Sequence, residues 1–76
     1  MNMLNIFLGK IGDMDGIIIL TESSDPCEAL RKLAVSHEAL PPEEIRTNGL
    51  TYALARIKKN NYELEISVRI PAKIII

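Results

Sequence analysis

A single helix signal divides this chain of 76 residues into two strand-forming halves. Asp25 can accept a hydrogen bond from a free backbone N–H, Pro26 sets φ at the first helical position, and Glu28 can complete a capping box. Apolar side chains then recur every three or four residues as far as Leu40, where two prolines end the pattern. The sequence therefore predicts one helix of about 14 residues, roughly 21 Å long at 1.5 Å per residue.

Before the helix, the pattern favours two strands joined as a hairpin. Residues 3–8 form the first strand, and residues 9–16, with three glycines and two aspartates, form the turn region. The β-branched run at residues 17–20 forms the second strand. Because this run is apolar on both faces, we expect it at the centre of the sheet.

After the helix, turn residues predict a meander of three strands. Asn48 and Gly49 are the preferred pair for a two-residue hairpin turn, and the two asparagines at residues 60–61 are a weaker version of the same signal. Pro71 then separates the meander from a further short strand at residues 73–76.

The turn at residues 60–61 fixes the register of the last hairpin. It sets Lys59 opposite Tyr62 and, at the far end, Tyr52 opposite Arg69. One face then carries Ala53, Ala55, Ile57, Tyr62, Leu64, Ile66, Val68 and Ile70, and the other carries the opposite-charge pairs Arg56 with Glu65 and Lys58 with Glu63. Because the alanines leave room for a neighbour, the helix is predicted over the apolar face.

These elements predict an α+β fold: a mostly antiparallel sheet of about five strands, in the order ββαβββ, with one helix packed on one face. Residues 1–76 form a single small domain, because the chain has about half the length of a typical domain. A helix about 10 Å wide covers only part of a sheet that is about 24 Å across, so the other face should be polar.

The uncovered face is predicted to be apolar and cationic instead. It carries Leu50, Tyr52, Leu54, Arg56, Lys58 and Arg69, while residues 17–20 add apolar groups to both faces. We interpret this face as the contact surface for a partner protein or a second copy of the chain in a homodimer. Tyr52 and Leu54 would be its buried anchors, and Arg56 and Arg69 would orient the partner. The alternative is that the sheet curls and buries part of the patch itself.

The uneven distribution of charge along the chain is compatible with a second function. The whole chain has nine basic and ten acidic residues, which favours neither nucleic acid nor an anionic membrane as the partner. Residues 45–76, however, carry six basic and two acidic residues. The alternative function is therefore a small nucleic-acid-binding sheet module, in which Tyr52 stacks on a base while Arg56 and Arg69 contact phosphates.

No residue pattern predicts catalysis, a metal site or a cofactor. Cys27 lies in the first helical turn, where free N–H groups and the helix dipole favour a thiolate. His37, the only histidine, is ten residues further along the helix, about 15 Å away, so the two cannot form a nucleophile–base pair or a zinc site. Residues 13–16 begin like a calcium loop, but the later ligand positions carry apolar side chains. We therefore expect a non-enzymatic protein.

The remaining features bear on the setting in which the chain works. One cysteine cannot form an internal disulfide, and no stretch resembles a cleavable signal or reaches the roughly 20 apolar residues of a membrane span. We expect a cytoplasmic protein that makes no membrane contact. Short proteins of this kind are frequent in phages and mobile elements as inhibitors of host machinery, anti-CRISPR proteins among them. An inhibitor of that kind is a hypothesis at the level of the class, since no motif supports a narrower one.

Overall fold

The computed structural model describes residues 4–71. Within them, five strands and one helix follow one another as β1 (Asn5–Ile11), β2 (Met14–Thr21), α1 (Pro26–Ser36), β3 (Glu43–Asn48), β4 (Tyr52–Lys59) and β5 (Tyr62–Arg69). All strand pairs are antiparallel, and the sheet order is β2-β1-β5-β4-β3. The predicted α+β fold and its ββαβββ order are confirmed. The strand expected at residues 73–76 lies outside the described residues.

The hairpin of β4 and β5 has the predicted register along its whole length. Lys59 pairs with Tyr62 at the turn, and Tyr52 pairs with Arg69 at the far end. Asn60 adopts φ 57°, the left-handed conformation that a tight turn requires. The buried face of this hairpin lies under α1, as predicted, and contributes Ala53, Ala55, Ile57, Ile66 and Val68 to the core.

The hairpin of β1 and β2 is longer than predicted. The turn between them consists of Gly12 and Asp13 alone, so most of the expected turn region at residues 9–16 belongs to strands. Gly9 lies inside β1, and the register shift that follows it puts one extra residue on β2, between Met14 and Ile17. Gly16 lies inside β2 with φ 73°. Glycine thus marks an irregular strand here as well as the turn itself.

The prediction that residues 17–20 lie at the centre of the sheet is wrong. β2 is an edge strand, because it stands at the end of the strand order, next to β1, while β5 lies on the other side of β1. Ile19 faces α1 and is buried, whereas Ile18 is 67% exposed on the opposite face. The apolar residues of this run therefore lie partly on the face that α1 covers and partly on the face that it leaves uncovered.

The helix α1 begins as predicted and ends earlier. Asp25 Oδ1 accepts a hydrogen bond from the Cys27 N–H at 2.9 Å. At the other end, Glu38 adopts φ 57°, and the N–H groups of Glu38 and Ala39 donate to the carbonyls of Val35 and Ala34. This is a Schellman motif, which turns the chain away before the predicted end at Leu40. The prolines at residues 41–42 consequently lie in the loop to β3.

Candidate functional site

The candidate site is the sheet face opposite α1, here called the open face. Residues that pair directly across antiparallel strands point to the same face, so the pairing identifies its members. One row crosses all five strands as Ile18, Leu8, Arg69, Tyr52 and Asn48, and the next row consists of Lys10, Ser67, Leu54 and Arg46. Among residues 4–71, no helix packs on these rows.

One side of the open face is an apolar patch on β1 and β2. Ile6 pairs with Leu20 and Leu8 pairs with Ile18, so the four side chains are neighbours on one face. Ile6 is 50% exposed and Leu20 is 44% exposed, while Leu8 is partly buried. Of these residues, the sequence prediction placed only the 17–20 run on this face, and it assigned none of the four to the site.

Five of the six residues predicted for the site lie on the open face. Tyr52 and Leu54 are in its centre, with Arg69 directly opposite Tyr52. Arg56 and Lys58 follow further along β4, at the end of the face away from the apolar patch. Tyr52 is 36% exposed, and Leu54 is half-buried.

Leu50 is the exception, because the predicted two-residue turn at Asn48 and Gly49, which would place Leu50 on the next strand, is wrong. The β3–β4 loop has three residues, because Asn48 already pairs with Tyr52 and Thr51 Oγ1 donates to the Asn48 carbonyl at 2.8 Å. Leu50 is exposed in this loop at the end of the sheet. There it borders a shallow depression lined mostly by apolar side chains, among them Leu4, Ile6, Ile70 and Pro71.

The charged end of the open face contains ion pairs within the chain. Arg56 Nη1 contacts Glu63 Oε1 at 3.0 Å, and its Nε lies 3.7 Å from Glu44 Oε2. Arg56 therefore reaches diagonally to Glu63, although Glu65 lies directly opposite it in the ladder. The guanidinium has two carboxylates close by, so the net charge that Arg56 presents to a partner is small.

The centre of the open face presents cations that lack such neighbours. Within residues 4–71, none of the ion pairs includes Lys10 or Arg69. Lys10 pairs across the ladder with Ser67, and Arg69 is two residues further along β5. Positive charge is thus available in the centre, between the apolar patch and the neutralised end around Arg56.

The candidate nucleophile is not activated. Burial raises the pKa of the Cys27 thiol, and the neighbouring Asp25 carboxylate raises it further. These effects oppose the helix dipole, so the predicted thiolate is not favoured at neutral pH. His37 caps the other end of α1 and cannot reach Cys27.

Residues 4–71 contain no group of three or more acidic, histidine or cysteine side chains placed to hold a metal ion. Over the same residues, no helix has the length and apolar character needed to cross a membrane. Comparison with protein-family models, curated proteins and solved structures found no match to this chain.

Proposed function

We propose that this chain is a non-enzymatic protein that binds a partner protein through the open face. The observation that carries the proposal is the combination of an exposed apolar patch with the cations Lys10 and Arg69 beside it on one uncovered sheet face. A chain of this size has few apolar residues beyond those that its core requires. Exposing Ile6, Ile18 and Leu20 together is therefore costly in water unless a partner covers them.

The partner surface follows from the chemistry of the open face. Apolar side chains would cover the patch of Ile6, Leu8, Ile18 and Leu20. Carboxylates of the partner beside them would pair with Arg69 and Lys10. Neither cation takes part in an ion pair within residues 4–71. Tyr52 and Leu54 lie on β4, on the side of Arg69 away from the apolar patch, and would be the anchors there. The partner is thus a protein with an acidic rim around an apolar contact.

A nucleic acid fits the open face less well. Glu44 and Glu63 lie at the Arg56 end, where they neutralise one of the two arginines expected to contact phosphates. Glu65 adds a further negative charge on the same face. Tyr52 is the only aromatic side chain available there for stacking, whereas sheet modules that bind RNA stack two or three bases.

The hypothesis of an inhibitor from a phage or mobile element is a narrower form of the same proposal. A small protein that occupies a partner's surface can act as an inhibitor, which is how a phage or mobile-element protein of the anti-CRISPR type would work. Its partner would then be cytoplasmic host machinery with the acidic and apolar surface described above.

The test compares capture of a partner by a variant changed on the open face and a variant changed outside it. The chain and its variants are immobilised and exposed to cell extract, and the retained proteins are quantified by mass spectrometry. Tyr52→Ser with Arg69→Glu should lose a retained protein by more than about tenfold, because an anchor and a cation are removed together. Tyr62→Ser is the control, since Tyr62 is 71% exposed and lies outside the open face.

A retained protein that is lost equally from both tyrosine variants, or from neither, would contradict the proposal. Binding of a labelled single-stranded oligonucleotide tests the alternative function, a nucleic-acid-binding module. Binding at low salt that weakens steeply as salt rises, and that Arg69→Glu abolishes, would favour nucleic acid instead.

A further inference from the structure

Asn48 differs from the other asparagines in the described part of the chain because a glycine follows it. The side-chain amide of an asparagine can be attacked by the backbone nitrogen of the next residue, and a Cβ on that next residue hinders the attack. Asn5 is followed by a β-branched isoleucine, and its Nδ2 donates to the Glu22 carbonyl at 3.2 Å. Asn60 is followed by Asn61, and Asn61 by a tyrosine. Asn48 is therefore the described asparagine whose amide carbon is most open to attack.

The loop after Asn48 leaves the attacking nitrogen accessible. Asn48, Gly49 and Leu50 are exposed, and a Cβ at Gly49 would meet no atom within 4 Å. The loop is closed through the Asn48 carbonyl, which accepts from the Thr51 N–H at 3.3 Å and from Thr51 Oγ1 at 2.8 Å. Among the hydrogen bonds of residues 4–71, none is donated by the Gly49 N–H. The loop is thus held together without occupying the nucleophile.

We propose that Asn48 is a site of deamidation, which replaces a neutral amide on the open face with a carboxylate. The Gly49 nitrogen attacks Asn48 Cγ, and the new C–N bond closes a succinimide ring. The Cγ–Nδ2 bond breaks, and ammonia leaves with the proton that the Gly49 nitrogen gave up. Water then opens the ring at Cγ, which gives aspartate, or at the backbone carbonyl carbon, which gives isoaspartate. The net reaction exchanges water for ammonia, without oxidation or reduction.

The new carboxylate changes the charge of the open face. Asn48 pairs with Tyr52, and Tyr52 pairs with Arg69, so Asn48 and Arg69 lie in one row, two strands or about 10 Å apart. A negative charge at residue 48 lowers the positive potential in this row and repels the acidic rim of the proposed partner. This consequence rests on the proposed function of the open face, whereas the reaction itself does not.

Isoaspartate has a second effect, because it adds one atom to the backbone between residues 48 and 49. The β3–β4 loop closes on the pair of Asn48 with Tyr52 and on the hydrogen bond from Thr51. An extra backbone atom at this point displaces both contacts. The Tyr52 side chain should therefore move together with the loop.

Peptide mapping of the purified chain during incubation at mildly alkaline pH tests the reaction without any partner. Trypsin cuts after basic residues and so separates residues 47–56, which contain Asn48, from residues 60–69, which contain Asn60 and Asn61. Mass spectrometry should show the conversion of amide to acid more than about tenfold faster in the first peptide, because the glycine there has no Cβ. The rate should rise with pH, since the attacking nitrogen reacts without its proton.

Two references separate the chemistry from the effect of the fold. Asn48→Gln keeps a neutral amide but requires a larger ring, so its peptide should show no conversion. The chain denatured in guanidinium chloride gives the rate without the fold, and the folded chain should react within about tenfold of it, because the loop is exposed. A folded chain that stays intact while the denatured chain reacts would overturn the inference. Conversion of residues 60–69 as fast as residues 47–56 would overturn it as well.

Asn48→Asp tests the consequence for binding. Its capture of the partner should fall by about threefold or more through charge repulsion. Thr47→Asp is the matched control, since Thr47 pairs with Ala53 and places the same charge on the other face of β3. Capture by Asn48→Asp at the wild-type level would overturn this consequence. If the wild-type chain retains no partner, the proposed function fails, and the peptide map still decides whether Asn48 reacts.

Discussion

At Gly9 the backbone of β1 lies directly under the core side chains that join α1 to the sheet. A Cβ at this position would lie 2.8 Å from Ile19 Cδ1 and 3.0 Å from Leu33 Cδ2. Both distances are too short for ordinary contact, so either the side chains or the strand must move. Because glycine is the usual turn signal, the sequence predicts a turn at Gly9, and close packing against another element leaves no local trace in the sequence.

This packing predicts the stability of variants at Gly9. Gly9→Ala should lower the free energy of unfolding by about 1–3 kcal/mol through overpacking. Ile19→Val alone should cost about 0.5–1.5 kcal/mol. Because Ile19→Val removes the atom that the new Cβ meets, the double variant should lose less than the two single variants together. Urea denaturation measures all three, and strict additivity would contradict the close contact.

Cys27 shows how one residue's surroundings can override a general trend. A helix start favours a thiolate, yet burial and the Asp25 carboxylate raise the pKa of this thiol. Asp25→Asn keeps a good N-cap and removes the negative charge, so alkylation by iodoacetamide at pH 8 should become faster. Arg31→Gln should slow it, because the Arg31 guanidinium lowers the thiol pKa. Rates that change in the opposite directions would contradict this account of the helix start.

Among the elements, β4 and β5 were predictable because their register depends on local signals. A two-residue turn and strict alternation leave one arrangement that puts Ala53, Ala55, Ile66 and Val68 on the same face. The end of α1 was not predictable in the same way. Glutamate rarely adopts a left-handed φ, so Glu38 gave no sign that the helix would stop four residues before the expected end at Leu40.

The place of β2 in the sheet depends on distant pairing. Its neighbour β1 pairs with β5, which lies more than fifty residues further along the chain. No local pattern in residues 17–20 reports that pairing, and a strand with apolar residues on both faces is typical of a central position. The sequence therefore predicts the strand but not its position at the edge of the sheet.

For the whole molecule, the central point is that both faces of the sheet carry apolar side chains, whereas the single helix covers only one of these faces. The covered face forms the core, and the open face combines an apolar patch, free cations and an end neutralised by ion pairs. The sequence predicted Tyr52, Leu54, Arg56, Lys58 and Arg69 on this face, because the hairpin register determines it. It missed Ile6 and Leu8, because their exposure depends on the sheet order rather than on either strand alone.

The most direct test of the open face is an NMR spectrum of the chain, labelled at its Ile, Leu and Val methyl groups, with and without the captured partner. Methyl signals of Leu8, Ile18 and Leu54 should shift or broaden on binding, since all three side chains lie on the open face. The signals of Val35, 74% exposed on α1, should stay unchanged. Changes confined to Val35 and other groups around α1, with the open-face methyls unaffected, would contradict the account.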